Sequence, residues 1–465
     1  MQARQTNKFI EIPINMGTVP NFEVRLGYPK IFNFFVGEKG KLYSTPWLDQ
    51  IETPEFEIEN VRAVIQTNFG VGYYLAVITD HLIRVDFLGN VKILAEIKYN
   101  GMSVQMAENL QNQVGIVDGQ NFYVYDQNTE LFQLMGETNG FSYKTPISIT
   151  VLNSIAIVLD KDTGGWAISD PNQMLNFPPL DTVAKISASL TQASSLQTLD
   201  DNLYIFGTTG VERWVPNSGN NPYLFPFAKD NNFRVDFGSL SVNGTQRGFN
   251  EIFFLSSKFV PMRLTVKGSE DIAEPGFAKI IASYIDRESA ETSFYTYLDN
   301  YFFHMYFPIS KISWVYNTDS KTWANVDDHI SASVPRQNIV GTDTGLFRLT
   351  NDKAFAVSKF REFQSDLIEN YEGTEAYRNL LNAIECKIIQ GFIQSSYDEP
   401  QHLNLKISKD AEEWGNTVIA YIGNTGERNA RTIWRCNIAS PKFVVNIQYQ
   451  GSYNLTIDKI TAILK

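Results

Sequence analysis

Through most of the chain apolar and polar residues alternate with period two, and the alternation breaks at short polar turns, the pattern of half-buried strands. One unit recurs seven times: an alternating strand, a polar turn and a second strand. The instances begin at His81 (HLIRVDFLGNVKIL), Asn121 (NFYVYDQNTELFQL), Trp166 (WAISDPNQMLNF), Gly210 (GVERWVPNSGNN), Pro261 (PMRLTVKGSEDIA), Ile312 (ISWVYNTDSKTWANV) and Gly345 (GLFRLTNDKAFAV). Their starts lie roughly 30–50 residues apart, the spacing of four-stranded propeller blades, whose radial stacking buries both sheet faces. A β-helix repeat is shorter, and a sandwich array would not repeat so evenly. Helical periodicity is confined to AKIIASYI from Ala278 and to DLIENYEG near Asp366.

After the last repeat, the charged stretch KFREFQSDLIENYEGTEA marks a domain boundary. Six or seven short strands follow: NAIECKIIQGFI, LNLKIS, NTVIAYI, RTIWRCNI, KFVVNIQY and NLTIDKITAIL. Their spacing predicts a separate β-sandwich. The expected architecture is therefore all-β. A β-propeller of six or seven blades, with an N-terminal closing segment, spans 1–358. Residues 359–376 are a linker, and a C-terminal β-sandwich spans 377–465.

Composition sharpens this picture. The chain of 465 residues has 32 Phe, 22 Tyr and 7 Trp, a content that favours pleated, half-buried surfaces. Its net charge of −12 repels a phosphate backbone and argues against a dedicated DNA binder, though not against a conduit in which DNA must not stick. The charge is uneven. From Tyr377 onward ten Lys/Arg face eight Asp/Glu, and the remainder carries 29 against 43. The N-terminal residues lack a signal-peptide apolar core, and no run is long enough to span a membrane. A protein made and assembled in a cytoplasm is expected.

Candidate chemistry is sparse. Cys386 and Cys436 lie in strand-like segments and read as free buried thiols. Four scattered histidines give no metal-ligand spacing. GTTGVERW, from Gly207 to Trp214, lacks the lysine of a phosphate loop, so its glycines are read as turn formers. Asn243-Gly244-Thr245 is read as a turn, and the pairs Asp327-Asp328 and Glu412-Glu413 as solvated loop charge. Two turns have the form Asn/Ser-x-Asp-x-x-x-Trp: Asn317, Asp319 and Trp323, then Ser408, Asp410 and Trp414. They resemble the aspartate box of sialidase-like propellers, a structural device in which the Asp bonds the turn backbone and the Trp packs beneath. No catalytic, cofactor-binding or metal-binding residue is assigned.

The order of motifs resembles the packaged-DNA stabilisation or tail-hub (nozzle) proteins of short-tailed phages. Asn33 stands at the family's Tyr-Ile-Asn segment, and Thr45-Pro46-Trp47-Leu48 at its Thr-Pro-Gly-Leu, with Trp47 replacing the Gly. Phe206, Gly207, Glu212 and Trp214 match "LxxFG…ExW", followed by Pro226 and Gly238. Trp314 and Trp323 match "WVYD…W", with Asn317 replacing the Asp. Ser408, Asp410, Trp414, Gly423, Gly426, Arg431 and Trp434 follow "SxDxxxxW…GxxG…RxxW".

The resemblance implies a structural virion protein without enzymatic activity. It implies a homohexameric ring below the portal and its adaptor that closes or extends the DNA exit channel. The ring holds packaged DNA and passes it at ejection without specific binding. Its partners are the portal adaptor, the tail needle or tip, and the tail fibres or spikes. Its place is the virion tail, assembled in the host cytoplasm. Two other classes fit the residues: a cellular β-propeller interaction scaffold, and a carbohydrate-binding or sialidase-like propeller.

Overall fold

The computed structural model describes residues 8–14, 30–51, 58–69, 73–86, 88–178, 183–187, 190–217, 225–334, 337–351, 358–369, 380–390, 402–410, 412–422, 429–440, 442–451 and 454–465. The regular structure of these residues is almost entirely β, and their one α-helix is Phe277–Ala282. That helix falls where the sequence predicts one. The segment near Asp366 does not: Ile368–Glu369 is a short strand paired with Phe443 and Lys442. A strand edge is available there, and pairing with it satisfies backbone groups that a two-turn helix would leave open.

Seven antiparallel sheets of four strands form a β-propeller. Six are continuous in sequence, over 61–96, 105–134, 146–185, 193–229, 245–271 and 291–326. The seventh combines Ile330–Ser333, Ile339–Thr342 and Leu346–Thr350 with Trp47–Gln50 from the start of the chain. The first strand of each blade contacts that of the next, and the seventh returns to the first, so the ring is closed. Each of the seven sequence repeats lies at the third strand of its blade and the turn that leaves it. In the last repeat the paired fourth strand is Trp47–Gln50. Locking the last blade with a strand from the other end of the chain removes the free edge that an open ring would expose.

Apolar packing follows this geometry. Six seams are filled by separate buried clusters, for example Leu75, Val77, Ile116 and Tyr125 between the first and second blades. Between the fifth and sixth blades Phe277 and Ile281 of the helix join Phe253, Phe303, Trp314 and Trp323. The turns after the third strands of the first, second and sixth blades share one device. Asp86 accepts from the N–H groups of Leu88 and Asn90, Asp126 from Asn128 and Thr129, and Asn317 from Asp319. A short polar acceptor at that position fixes the turn, which is why the repeat is visible in sequence.

The remaining strands form two sheets on the sixth- and seventh-blade side. One contains Lys8–Ile12, Phe34–Val36, Leu42–Ser44, Leu380–Gln390, Asn429–Ala439 and Leu455–Leu464. The other contains Lys30–Phe32, Lys359–Gln364, His402–Ser408, Val418–Tyr421 and Lys442–Gly451. It continues the sixth blade through a parallel pairing of Phe32 with Asn325. The core of both sheets merges with the seam between the sixth and seventh blades, joining Ile384, Trp434, Val445 and Ile457 to Val315, Val340 and Phe347. The expected linker thus begins as a strand: Lys359–Gln364 pairs along Lys442–Gly451 and with Lys30–Phe32. The N-terminal residues also do more than close the ring, since four of their strands enter these sheets.

Candidate functional site

The residues with the densest polar chemistry lie where the sixth blade, the N-terminal strands and the C-terminal sheets meet. Asn33 is fully buried and adopts a left-handed backbone, φ +55°, which asparagine tolerates better than most residues. Its N–H donates to Asn325 O at 3.0 Å, and its side-chain amide donates to Phe360 O at 2.8 Å. Its Oδ1 accepts from Asp327 N at 3.0 Å, and its carbonyl accepts from Thr45. One side chain therefore ties blade six to the strand Lys359–Gln364. Pro46, next to Thr45, is buried as well.

Beside Asn33 lies a buried ion cluster. Lys359 Nζ reaches Asp328 at 2.7 Å and Asp327 at 3.2 Å. The sequence reading of this acid pair as solvated loop charge fails for Asp328, which is nearly enclosed. Burial raises its pKa and the Lys359 ammonium acts against that shift. Two residues on, the Arg361 guanidinium is fully buried between the rings of Trp47 and Tyr449, 5.1 and 5.7 Å from their centroids. It donates to Asn454 Oδ1 and Gly451 O, and burial pulls its pKa down to about 10, so it stays charged at neutral pH. Trp47 thus provides a face for this cation.

The other resemblance residues are dispersed and each is bonded internally. Phe206 packs edge-on to Phe254 across the fourth and fifth blades, at 5.2 Å. Gly207 and Gly238 touch through their backbones: a Cβ on Gly238 would fall 1.6 Å from Gly207 O, and Ser239 N donates to that oxygen. The need for glycine is close approach rather than an unusual turn. Glu212 is buried and ion-paired to Lys229 at 2.5 Å, and it accepts from Trp214 Nε1 at 3.1 Å. Burial would raise its pKa, but the bonds from Lys229 and Ser187 bring it below the usual carboxylate range. The Trp214 ring meets Trp166 edge-on at 5.1 Å, and Pro226 O accepts from Asn217 N.

Trp314 Nε1 donates to Tyr284, and Trp323, fully buried, donates to Ile272 O. Asp410 accepts from Glu412 N and Glu413 N, as an aspartate box requires, while Trp414 stays half-buried. In the other box the acceptor is Asn317, not Asp319. Arg431 is exposed and paired with Glu385 at 2.6 Å, and Trp434 is buried in the C-terminal core. Gly423 and Gly426 lie outside the described residues. Both cysteines are free. Cys386 is buried and Cys436 half-buried, and burial pushes both thiols up, that of Cys436 to about 11. Asn243, read as part of a turn, lies in one on the ring interior.

Two further polar regions were not legible in sequence. Along the axis a cavity of about 410 Å³ is lined by the first strands of all seven blades. Gln105 of the second blade reaches Val242 O, near the fifth, at 3.1 Å, and accepts from Ser148 of the third at 2.6 Å. Hydroxyl groups bridge other seams: Ser148 to Leu196, Ser195 to Thr245, Thr292 to Asn243, Ser333 to Phe294 and Ser331 to Val61. The second region is the inner part of the seam between the sixth and seventh blades. Glu291, Tyr306 and Ser313 lie in one cross-strand row. Tyr306 stacks on His329 at 4.9 Å, Ser313 meets His329 Nδ1 at 3.0 Å, and Lys311 joins Tyr306 to Asp343. The Glu291 carboxylate has no hydrogen bond or ion pair among the described residues, and desolvation raises its pKa to about 7. In the next row Ser293 Oγ and His304 Nδ1 are buried without a partner. Burial lowers the His304 pKa to about 3, so that ring is neutral. No group of three or more His, Cys, Asp or Glu side chains among the described residues could hold a metal ion.

No family model matches the chain, and no curated protein matches it. Solved structures do. A streptogramin B lyase structure aligns with a TM-score of 0.47 at 9% identity, covering 66% of this chain and 98% of that one. Virginiamycin B lyase from Staphylococcus aureus aligns at 0.41 and 8%, covering 74% and 99%. The WD40 repeats of RRP9 align at 0.43 and 8%, covering 66% and 100%. None of these likenesses carries a site or an activity over to this chain.

Proposed function

We propose that this protein is a structural, non-enzymatic component of a short-tailed phage virion: a tail hub or nozzle that extends or closes the DNA exit channel below the portal. The reading rests on the ordered resemblance, and one observation supports it most. The described residues that carry the resemblance are committed to internal bonds and packing, with Asn33 and Gly207/Gly238 as the tightest cases, and they do not converge on one cleft. A motif set of that kind specifies a scaffold. We read the two sheets beyond the propeller as a β-sandwich domain fused to the sixth blade.

In this reading six copies form a ring between the portal adaptor and the tail tip, with needle and fibres or spikes attached around it. Duplex DNA runs between subunits, because the propeller axis is crossed by Gln105. The acidic excess of the first 376 residues suits a wall past which DNA slides. Among the described residues no helix is long and apolar enough to cross a membrane. A deletion phage tests the proposal: particles without this protein should lose packaged DNA and fail to attach tail tips. Particles that keep both would overturn it.

A further inference from the structure

The seam between the sixth and seventh blades holds one ammonium with two carboxylates near it. Glu291, Tyr306 and Ser313 stand side by side on Glu291–Tyr297, Asn300–Phe307 and Ile312–Asn317, the first three strands of the sixth blade. Directly opposed residues in such a pairing have Cβ atoms about 4.5–5.5 Å apart, so Glu291 and Tyr306 are immediate neighbours. Lys311, in the turn between the second and third strands, reaches the Tyr306 hydroxyl at 3.2 Å and Asp343 of the seventh blade at 3.1 Å. Its ammonium therefore straps one blade to the next. The Glu291 carboxylate, one side chain away, has no hydrogen bond or ion pair among the described residues.

The other titratable groups around this row offer Glu291 no cation. His329 stacks on Tyr306 and meets Ser313 through Nδ1, and burial lowers its pKa, so it is neutral at neutral pH. Asp327 and Asp328 lie behind His329 and are held by Lys359. One row deeper, His304 Nε2 lies 3.0 Å from Asp328 O, a contact in which only the nitrogen can donate. His304 Nδ1 is therefore a bare acceptor, and Ser293 Oγ opposite it has no partner. Among the described residues, Lys311 is the cation that acts on the Glu291 carboxylate.

The two carboxylates differ in what they gain from that ammonium. Lys311 and Asp343 are 58% and 42% exposed, and so wet a pair is screened and worth little. Glu291 is desolvated, so its ionised carboxylate is screened less and gains more from the same charge. We propose that Lys311 is a two-position strap, bridging the blades through Asp343 while Glu291 carries a proton and turning onto Glu291 when that proton is lost, with the Tyr306 hydroxyl as pivot. Desolvation places the exchange near neutrality, since it raises the Glu291 carboxyl to about 7. Lys311 and Tyr306, both shifted above their ordinary values, keep their protons there. Mildly alkaline solution thus frees Asp343 and releases the strap across a seam whose core is continuous with the C-terminal sheets. The inference concerns the fold and stands apart from the virion reading.

The test is a pair of double-mutant cycles on the full-length chain, read by denaturant unfolding at pH 5.5 and pH 8.5. At the lower pH, Lys311→Met and Asp343→Asn should couple by about two- to fivefold in the unfolding equilibrium constant, and Lys311→Met and Glu291→Gln should not couple. At the higher pH the first coupling should vanish and the second should appear, at about fivefold or more. In a Glu291→Gln background the Lys311–Asp343 coupling should persist at both pH values, which separates the exchange from a general effect of pH on a surface ion pair. Crystal structures of the unsubstituted protein at the two pH values give a readout that does not depend on stability. Lys311 Nζ should lie on Asp343 at pH 5.5 and on Glu291 at pH 8.5. Equal coupling of Lys311 to Asp343 at both pH values, or an ammonium that stays on Asp343 at pH 8.5, would overturn the proposal.

Discussion

Thr45 donates both its backbone N–H and its hydroxyl to the carbonyl of Asn33, at 3.1 and 3.2 Å. These two residues, twelve positions apart and both buried, close a loop whose other bonds reach the sixth blade and the strand Lys359–Gln364. The loop also aims the following strand, Trp47–Gln50, into the seventh blade, where Trp47 pairs with Thr350. Ring closure and attachment of the C-terminal sheets therefore share one anchor.

Replacing Asn33 with Ala should destabilise the whole molecule. The change strands Asp327 N and Phe360 O in the interior and puts a less tolerant residue at φ +55°. Each buried unsatisfied group costs about 1–3 kcal/mol, so a loss of roughly 2–5 kcal/mol in denaturant unfolding is expected. A change below 1 kcal/mol would show that the anchor is dispensable.

Lys359 answers a buried carboxylate. Lys359→Met should cost roughly 3–5 kcal/mol because Asp328 is then an uncompensated buried charge, and Asp328→Asn in the same chain should recover much of it. Additive losses in the double variant would contradict the pairing.

Gly238→Ala should prevent folding of the fourth and fifth blades, since its Cβ would meet Gly207 O at 1.6 Å. Gly136→Ala, where a Cβ meets nothing within 4 Å, is the control and should stay within about 1 kcal/mol of the parent. Equal stability of the two variants would refute the close backbone contact.

The seam between the sixth and seventh blades should give stability a specific pH dependence. The folded pKa of Glu291 is raised to about 7, so the folded state holds its proton more tightly and this contribution is lost as pH rises from the ordinary carboxylate range through 7. The pKa of His304 is lowered to about 3, so its contribution is present above the ordinary histidine pKa and falls away below it. The two slopes oppose each other in mildly acidic solution. Glu291→Gln should therefore stabilise the protein at pH 8 by on the order of 1–3 kcal/mol, have little effect near pH 5, and unmask a stability that rises with pH between them. Equal effects at both pH values would show that Glu291 titrates normally.

The propeller was legible because several third strands end in a turn held by a local acceptor, such as Asp86, Asp126 or Asn317, and local chemistry leaves a local pattern. Its closure was not. Trp47–Gln50 is four residues long, and its partner Leu346–Thr350 lies about three hundred residues away. Lys30–Phe32 and Phe34–Val36 are too short to show a period, so their place in the C-terminal sheets could not be read. The same holds for charge. Asp328 looks like a loop acid until Lys359 is brought to it, and Arg361 looks like a linker arginine until Trp47 and Tyr449 enclose it. The resemblance residues were legible one by one, but their bonds to each other and to the core were not.

The most direct test of the tail-hub proposal is a reconstruction of short-tailed phage particles assembled with this protein. The expected result is a ring of six copies between the portal adaptor and the tail tip, with DNA passing between propellers and Asn33 buried inside each copy. A tail without this protein, or DNA threaded through a single propeller axis, would contradict it.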